Sequence, residues 1–294
     1  MKLKSVLVGS LLLAPMFDFD IPAAEAKKPD PVAVIAETLT PDRKIVYKKV
    51  GERELQMHVF LPKDWKTSDR RPCFLTIHGG GWTGGEPKRM YPFAAHYRDL
   101  GMVGISLQYR LSTANSGVTV FDCVHDARSA ARYIKEHAAE LGVDADKLIV
   151  NGGSAGGHLA AATAMFDAFN DPSDNLKTSP TPVAMVLNYP VIDTSEEGYG
   201  FKKIGARWKE ISPLHQVKKG TPPAILFHGT GDKTTPFKGA KAFHEAMLAS
   251  GNRCELVVNE GGIHGYLMFD EALYKETLQK SDAFLTSLGL LPVK

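Results

Sequence analysis

The sequence predicts an α/β fold, a mostly parallel sheet with helices on both faces. Three observations carry that expectation. Short, nearly continuous apolar runs, such as C-F-L-T-I at 73–77, V-A-M-V-L-N-Y at 183–189 and A-I-L-F-H at 224–228, read as strands buried on both faces. These runs alternate with stretches of helical periodicity, the pattern of strand–helix–strand units. The chain has 294 residues, 44% hydrophobic and 23% charged, which suits one large domain of this class.

The N-terminus has a different character. Lys2 and Lys4 precede the apolar run V-L-V-G-S-L-L-L-A-P-M-F, and A-E-A ends at Ala26. A basic start, a short apolar core and small residues at a cleavage position predict a signal peptide over 1–26 and export to the periplasm or medium. The run is shorter than the roughly 20 apolar residues of a membrane span. No cysteine follows it to accept a lipid, so no stable membrane anchor is expected. The net charge of +2, with Lys and Arg scattered along the chain, argues against a nucleic-acid partner.

A Pro-rich leader (27–43) follows, and the domain proper is expected from 44 to 294. K-I-V-Y-K-K-V and L-Q-M-H-V-F-L flank G-E-R-E, a hairpin spacing that adds antiparallel strands at one edge. The strand C-F-L-T-I leads into a glycine loop, a helix from Met90 to Leu100 and the strand M-V-G-I-S-L. A helix is predicted over Val120 to Leu141, then the strand K-L-I-V and a helix from Gly156 to about Phe169. After V-A-M-V-L-N-Y comes an irregular segment, 193–220, read as a small cap insertion. A-I-L-F-H, a helix Gly239–Ala249, the strand E-L-V-V and a helix Glu271–Leu288 complete the series. Cys73, Cys123 and Cys254 are not spaced for zinc and are expected to be buried as small hydrophobes.

In such sheets, sites form beyond the carboxyl ends of the strands. Residues 152–156 read G-G-S-A-G between an apolar strand and a helix, which satisfies G-x-S-x-G. A sharp turn there lifts the Ser154 hydroxyl out of the sheet, and small neighbours let the turn pack. A serine hydroxyl needs an adjacent base, and the base an orienting acid. With the order Ser, then Asp/Glu, then His, the base must lie after Ser154. His228 lies within a strand, His244 within a helix, and His215 precedes the acid strand. His264, in the glycine-rich loop after E-L-V-V, is the expected base. Asp232, in G-T-G-D-K-T-T-P, is favoured as the acid over Asp193, which ends the preceding strand segment.

Upstream, H-G-G-G-W (78–82) closes another strand, and consecutive glycines let backbone N–H groups approach a ligand. With the N–H of Ala155 they are expected to form an oxyanion hole. His78 is read as bracing this loop and His158 as a packed histidine.

H-G-G-G-W, G-G-S-A-G-G, G-D-K-T-T-P and I-H-G-Y, in this order, resemble the α/β-hydrolase superfamily. Within it the chain is similar to hormone-sensitive-lipase-like and acetylxylan-esterase-like carboxylesterases over about residues 44 to 290. The resemblance implies that Gly80, Gly81 and Ala155 donate to the oxyanion, and that Y109-R-L-S and the Asp126 region brace the fold. It implies an exported serine esterase of short acyl groups, with a small-molecule or carbohydrate ester as substrate and no metal or other cofactor. Trp82 beside the oxyanion loop suits short acyl groups, and Tyr199, Phe201 and Trp208 are candidates either for a sugar- or aryl-binding wall or, equally, for core packing of the insertion. One departure is the short Pro-rich leader where hormone-sensitive-lipase-like members usually carry a helical cap. The likeness is thus closer to small-cap esterases of polysaccharide-degrading bacteria. Two other readings share these motifs. Prolyl-oligopeptidase-type peptidases normally add a propeller domain for which this chain has little room. Gibberellin-receptor-like binding proteins lose the catalytic histidine, and His264 is present here.

Overall fold

The computed structural model describes residues 30–291, so the expected signal peptide lies outside the described residues. The strands are β1 (Arg43–Val50), β2 (Arg53–Phe60), β3 (Arg71–Ile77), β4 (Val103–Leu107), β5 (Val143–Gly153), β6 (Ala184–Asn188), β7 (Ala224–Gly229) and β8 (Cys254–Asn259). They form one sheet in the order β1-β2-β4-β3-β5-β6-β7-β8. The β1–β2 and β2–β4 pairs are antiparallel, and every pair from β4 through β8 is parallel. The fold is the mostly parallel α/β architecture that the apolar runs predict.

Strand side chains alternate between two cores. Cys73, Leu75 and Ile77 of β3 face the core shared with α3 (Val120–Glu136), α5 (Ala155–Met165) and α7 (Phe237–Ala249). Phe74 faces the other, built with α1 (Pro31–Glu37), α2 (Tyr91–Asp99) and α8 (Glu271–Ser287), where it stacks on Tyr97. Each fully buried Leu, Ile or Phe contributes roughly 1.5–3 kcal/mol to this two-sided core. All three cysteines are buried and free, and burial pushes the Cys123 and Cys254 thiols up to about 12.

Helix bounds depart from the periodicity in three places. The leader is not featureless: Asp30 caps α1 through the Ala33 N–H at 3.0 Å, and Pro31 opens the helix, where its missing N–H costs nothing. The helix expected over 120–141 breaks at His137, whose ring stacks on Tyr133 and bonds its carbonyl, and α4 (Ala138–Leu141) restarts beyond it. The third, α5, stops at Met165 instead of running to Phe169, because the Arg128 guanidinium takes the carbonyls of Ala162 and Thr163.

A buried polar cluster ties the antiparallel edge to α3. Arg110 makes a two-pronged bond to Asp126 at 2.8 Å on each prong. Lys48 of β1 pairs with Asp126 at 2.9 Å and Asp171 at 2.7 Å. Tyr109 next door donates to the His78 carbonyl at 3.0 Å, so this cluster also steadies the loop after β3.

Candidate active site

Strands β3, β5, β6, β7 and β8 are consecutive neighbours, so the segments leaving their carboxyl ends converge. Ser154 follows β5 directly, with φ +56° and ψ −123°, a conformation costly for a non-glycine residue, about 1–3 kcal/mol. The turn is held by bonds on both sides: Ser154 N–H donates to Asn188 O at 3.0 Å, and Ser154 O accepts from Val191 and His158. The flanking glycines answer to close approach. A methyl on Gly156 would run into the carbonyls of Ile77 and His78, and one on Gly153 would meet the Tyr189 hydroxyl.

His264 Nε2 lies 2.9 Å from Ser154 Oγ, and His264 Nδ1 lies 2.8 Å from Asp232 Oδ2. Asp232 is buried, and burial pushes its carboxyl up. Bonds from His264 and Thr235 outweigh this, so it is held below the ordinary value and stays ionised. Its Oδ1 accepts the N–H groups of Thr234 and Thr235, both at 2.8 Å, and Oδ2 accepts the Thr235 hydroxyl at 2.9 Å. An ionised carboxylate only accepts. Nδ1 of His264 therefore carries the proton, and Nε2 turns a lone pair toward Ser154 Oγ–H. His228, 3.5 Å from the same carboxylate, is kept neutral by burial and donates to the Thr235 carbonyl. Asp193 is placed elsewhere, accepting the Ser195 N–H.

The glycine loop after β3 bends through three residues with positive φ: Gly80 (+114°), Gly81 (+60°) and Trp82 (+63°). The N–H groups of Gly80 and Gly81 have no acceptor among the described residues, and Ala155 opens α5, where first-turn amides are unpaired. His78 is buried, which lowers its pKa to about 4, and its Nδ1 bonds the Gly79 carbonyl. It stacks on Tyr109 at 4.3 Å and braces the loop.

A cavity of about 300 Å³ opens over Ser154 and His264. Gly80, Gly81 and Tyr199 line it, with Arg89, Met90, Tyr189, Met268 and Phe269. Of the four aromatic residues considered for a substrate wall, only Tyr199 is at this surface. Trp82 is fully buried between Tyr199 and His158. Phe201 packs on Trp208 and Trp208 on His215, away from the lining. The insertion is not irregular: it folds as α6 (Phe201–Ile204) and two 3₁₀ turns, Gly205–Ile211 and Pro213–Gln216. Sequence reasoning missed Thr235 and Tyr189. A signal for Thr235 exists, since threonines two and three residues after an aspartate offer the amides of a local carboxylate turn. Tyr189, whose ring edge meets His264 at 5.1 Å, has none.

Among the described residues, no group of three or more His, Cys, Asp or Glu is arranged to hold a metal ion. Likewise, no helix among them is long and apolar enough to cross a membrane. The BD-FAE family profile matches residues 57–247. Esterase 2 of Thermogutta terrifontis, phosphoramylated by tabun, is 42% identical, with a TM-score of 0.82 over 86% of this chain and 96% of that one. The probable carboxylic ester hydrolase LipM of Mycobacterium tuberculosis is 26% identical over 76% of this chain and 56% of its own length. Endo-1,4-beta-xylanase B of Butyrivibrio fibrisolvens is 25% identical over 70% of this chain and 34% of its own. The chain thus spans about half or less of the length of these curated relatives. With its fold and motifs, the chain belongs to the BD-FAE family, within the hormone-sensitive-lipase-like group of the α/β-hydrolase superfamily.

Proposed function

We propose that this protein is an exported serine carboxylesterase that hydrolyses short-acyl esters through an acyl-enzyme. The observation that carries the reading is the chain of contacts Ser154 Oγ, His264 Nε2, His264 Nδ1 and Asp232 Oδ2, at 2.9 and 2.8 Å. In the first step Ser154 Oγ attacks the ester carbonyl carbon and His264 Nε2 takes its proton. The oxyanion accepts bonds from the Gly80, Gly81 and Ala155 amides, each worth about 3–4 kcal/mol in the transition state. Asp232 stabilises the imidazolium, which then protonates the leaving alcohol as the C–O bond breaks. In the second step His264 deprotonates water, water attacks the acyl carbon, and Ser154 leaves with the proton.

A cavity of about 300 Å³ with Met90, Met268 and Phe269 in its wall suits small acyl groups. Likeness to an esterase 2 form of T. terrifontis described as propionate bound, 41% identical, supports the same size class. An acetyl group on a polysaccharide is our proposed natural substrate, supported by the exported-type N-terminus and the likeness to xylanase B.

The test is turnover of p-nitrophenyl acetate by wild type and Ser154→Ala. Turnover that vanishes in the variant is expected, and activity surviving it, or absent in wild type, refutes the reading. Acetate release from acetylated xylan, against simple aryl esters, tests the carbohydrate substrate. A mature N-terminus at Lys27 in exported protein tests the signal peptide.

A further inference from the structure

The reaction above gives the 193–220 insertion no chemical part, yet one of its side chains holds the oxyanion loop. Lys203 of α6 donates from Nζ to the Gly81 carbonyl at 3.0 Å and to the Tyr199 hydroxyl at 3.1 Å. The same ammonium lies 5.2 Å from the Tyr199 ring centroid and 5.9 Å from that of Trp82. A later part of the insertion, Ile211, is tied to the same loop through His158. Trp82 meets His158 edge to face at 5.1 Å, and His158 Nε2 donates to the Ile211 carbonyl at 2.7 Å.

The loop needs such a hold. Three successive residues have positive φ, including the non-glycine Trp82. Its own backbone ties are those of Thr83 and Gly84 N–H to Gly80 O, and of Ser112 N–H to Trp82 O. Among the described residues no backbone N–H reaches the Gly81 carbonyl, and Lys203 fills that place. The loop is also shaped around this contact, since a methyl on Gly81 would run into Tyr199 Oη and Lys203 Nζ.

We propose that Lys203 is a positioning residue of the oxyanion hole, fixing Gly81 so that its amide points at the oxyanion and setting a positive charge beside it. The inference rests on the serine-esterase reading of the site. A bond to the Gly81 carbonyl fixes the Gly81–Trp82 peptide plane and so anchors the Cα from which the Gly80–Gly81 plane, carrying the Gly81 N–H, is hung. A fixed cation beside the loop favours the tetrahedral anion over the neutral ester, so its effect falls on the transition state.

The experiment compares wild type, Lys203→Met and Lys203→Arg on p-nitrophenyl acetate, with inhibition by a short alkylboronic acid. The boronic acid probes the tetrahedral anion formed on Ser154. Losing one direct oxyanion donor costs about 10²–10³ in kcat, so losing its brace should cost about tenfold. In Lys203→Met, kcat should fall by that factor with KM changed less than about twofold. Boronate affinity should weaken in parallel with kcat, and Lys203→Arg should restore most of both. Unchanged kcat in Lys203→Met, a loss confined to KM, or unchanged boronate affinity overturns the proposal. A wild type that turns over no ester fails the serine-esterase reading instead, so the two failures are separable.

Discussion

Asp232→Asn tests the relay most directly, because the structure dictates how the asparagine must sit. Asp232 Oδ1 is pinned by the N–H groups of Thr234 and Thr235, both at 2.8 Å, and only an oxygen can accept them. The amide nitrogen therefore occupies the Oδ2 position, 2.8 Å from His264 Nδ1. Two donors now face each other, and the ring escapes by moving its proton to Nε2. That proton points at Ser154 Oγ, 2.9 Å away, and the base loses the lone pair it needs. The expected loss in kcat is about 10⁴-fold, the cost of the wrong tautomer in a Ser-His-Asp site. At about 1.36 kcal/mol per decade this is about 5.5 kcal/mol. The assay is steady-state turnover of p-nitrophenyl acetate, with thermal unfolding to confirm that the fold persists. Asp193→Asn is the paired control and should stay within about threefold of wild type, since the Asp193 carboxylate bonds the Ser195 N–H of its own turn and not His264. If Asp232→Asn keeps more than about a hundredth of the activity while Asp193→Asn loses it, the tautomer argument is refuted and the acid is Asp193.

Lys48→Met leaves Asp171 and the buried Asp126 without their shared ammonium, and should cost about 3 kcal/mol in urea melts at neutral pH. Burial raises the Asp171 carboxyl, but the Lys48 and Ser173 bonds outweigh it and hold its pKa below normal, as similar bonds do for Asp232. Such groups stabilise the fold above the unfolded value near about 3.9, and that contribution is lost as pH falls through the folded value. The Lys48→Met deficit should therefore shrink at acid pH, and a deficit independent of pH contradicts the argument. Gly156→Ala drives a methyl into two carbonyls of the β3 loop and should cost about 3 kcal/mol with loss of most turnover, read by melts and the aryl-ester assay. Arg89 lines a cavity with no acidic residue in its wall, and the carboxylate it pairs with, Asp30, is 3.9 Å away. Arg89→Gln should lower kcat/KM for 3-acetoxybenzoate several-fold more than for 3-acetoxybenzamide, and an equal change removes any charge role.

The parts legible in the sequence share one physical feature: their signal is local. A strand buried on both faces must be apolar nearly throughout, so β3, β4, β6, β7 and the second half of β5 show up as runs, while the edge strand β8 shows only its E-L-V-V. The elbow must be small-residue, so Ser154 announces itself; chain order then separates His264 from His215, and placement within a strand and a helix sets aside His228 and His244. Features made by distant residues did not show. Where α5 ends is decided by Arg128, more than thirty residues earlier in the chain. The start of β5 at Val143 is set by pairing with Arg71 across a register shift, although D-A-D-K looks like a loop. Tyr189 reaches His264 only because β6 lies between β5 and β7.

The aromatic residues around the insertion show the same limit where it bears on function. A tryptophan beside an oxyanion loop and three aromatics in a cap read naturally as a substrate wall. Packing assigns three of them other work: buried Trp82 is a floor under Tyr199, and the half-buried Phe201 and Trp208 pack on each other. Met268 and Phe269, four and five residues after His264, line the cavity and are the side chains to vary in testing the choice of acyl group. Phe269 is half exposed and lines the cavity. His264, Met268 and Phe269 thus share one short segment after β8, whereas Gly80 and Gly81 sit in the loop after β3, Ala155 opens α5 and Lys203 reaches Gly81 from α6. Changes at 268–269 should alter which ester is chosen, and changes at 199–203 how fast any ester reacts.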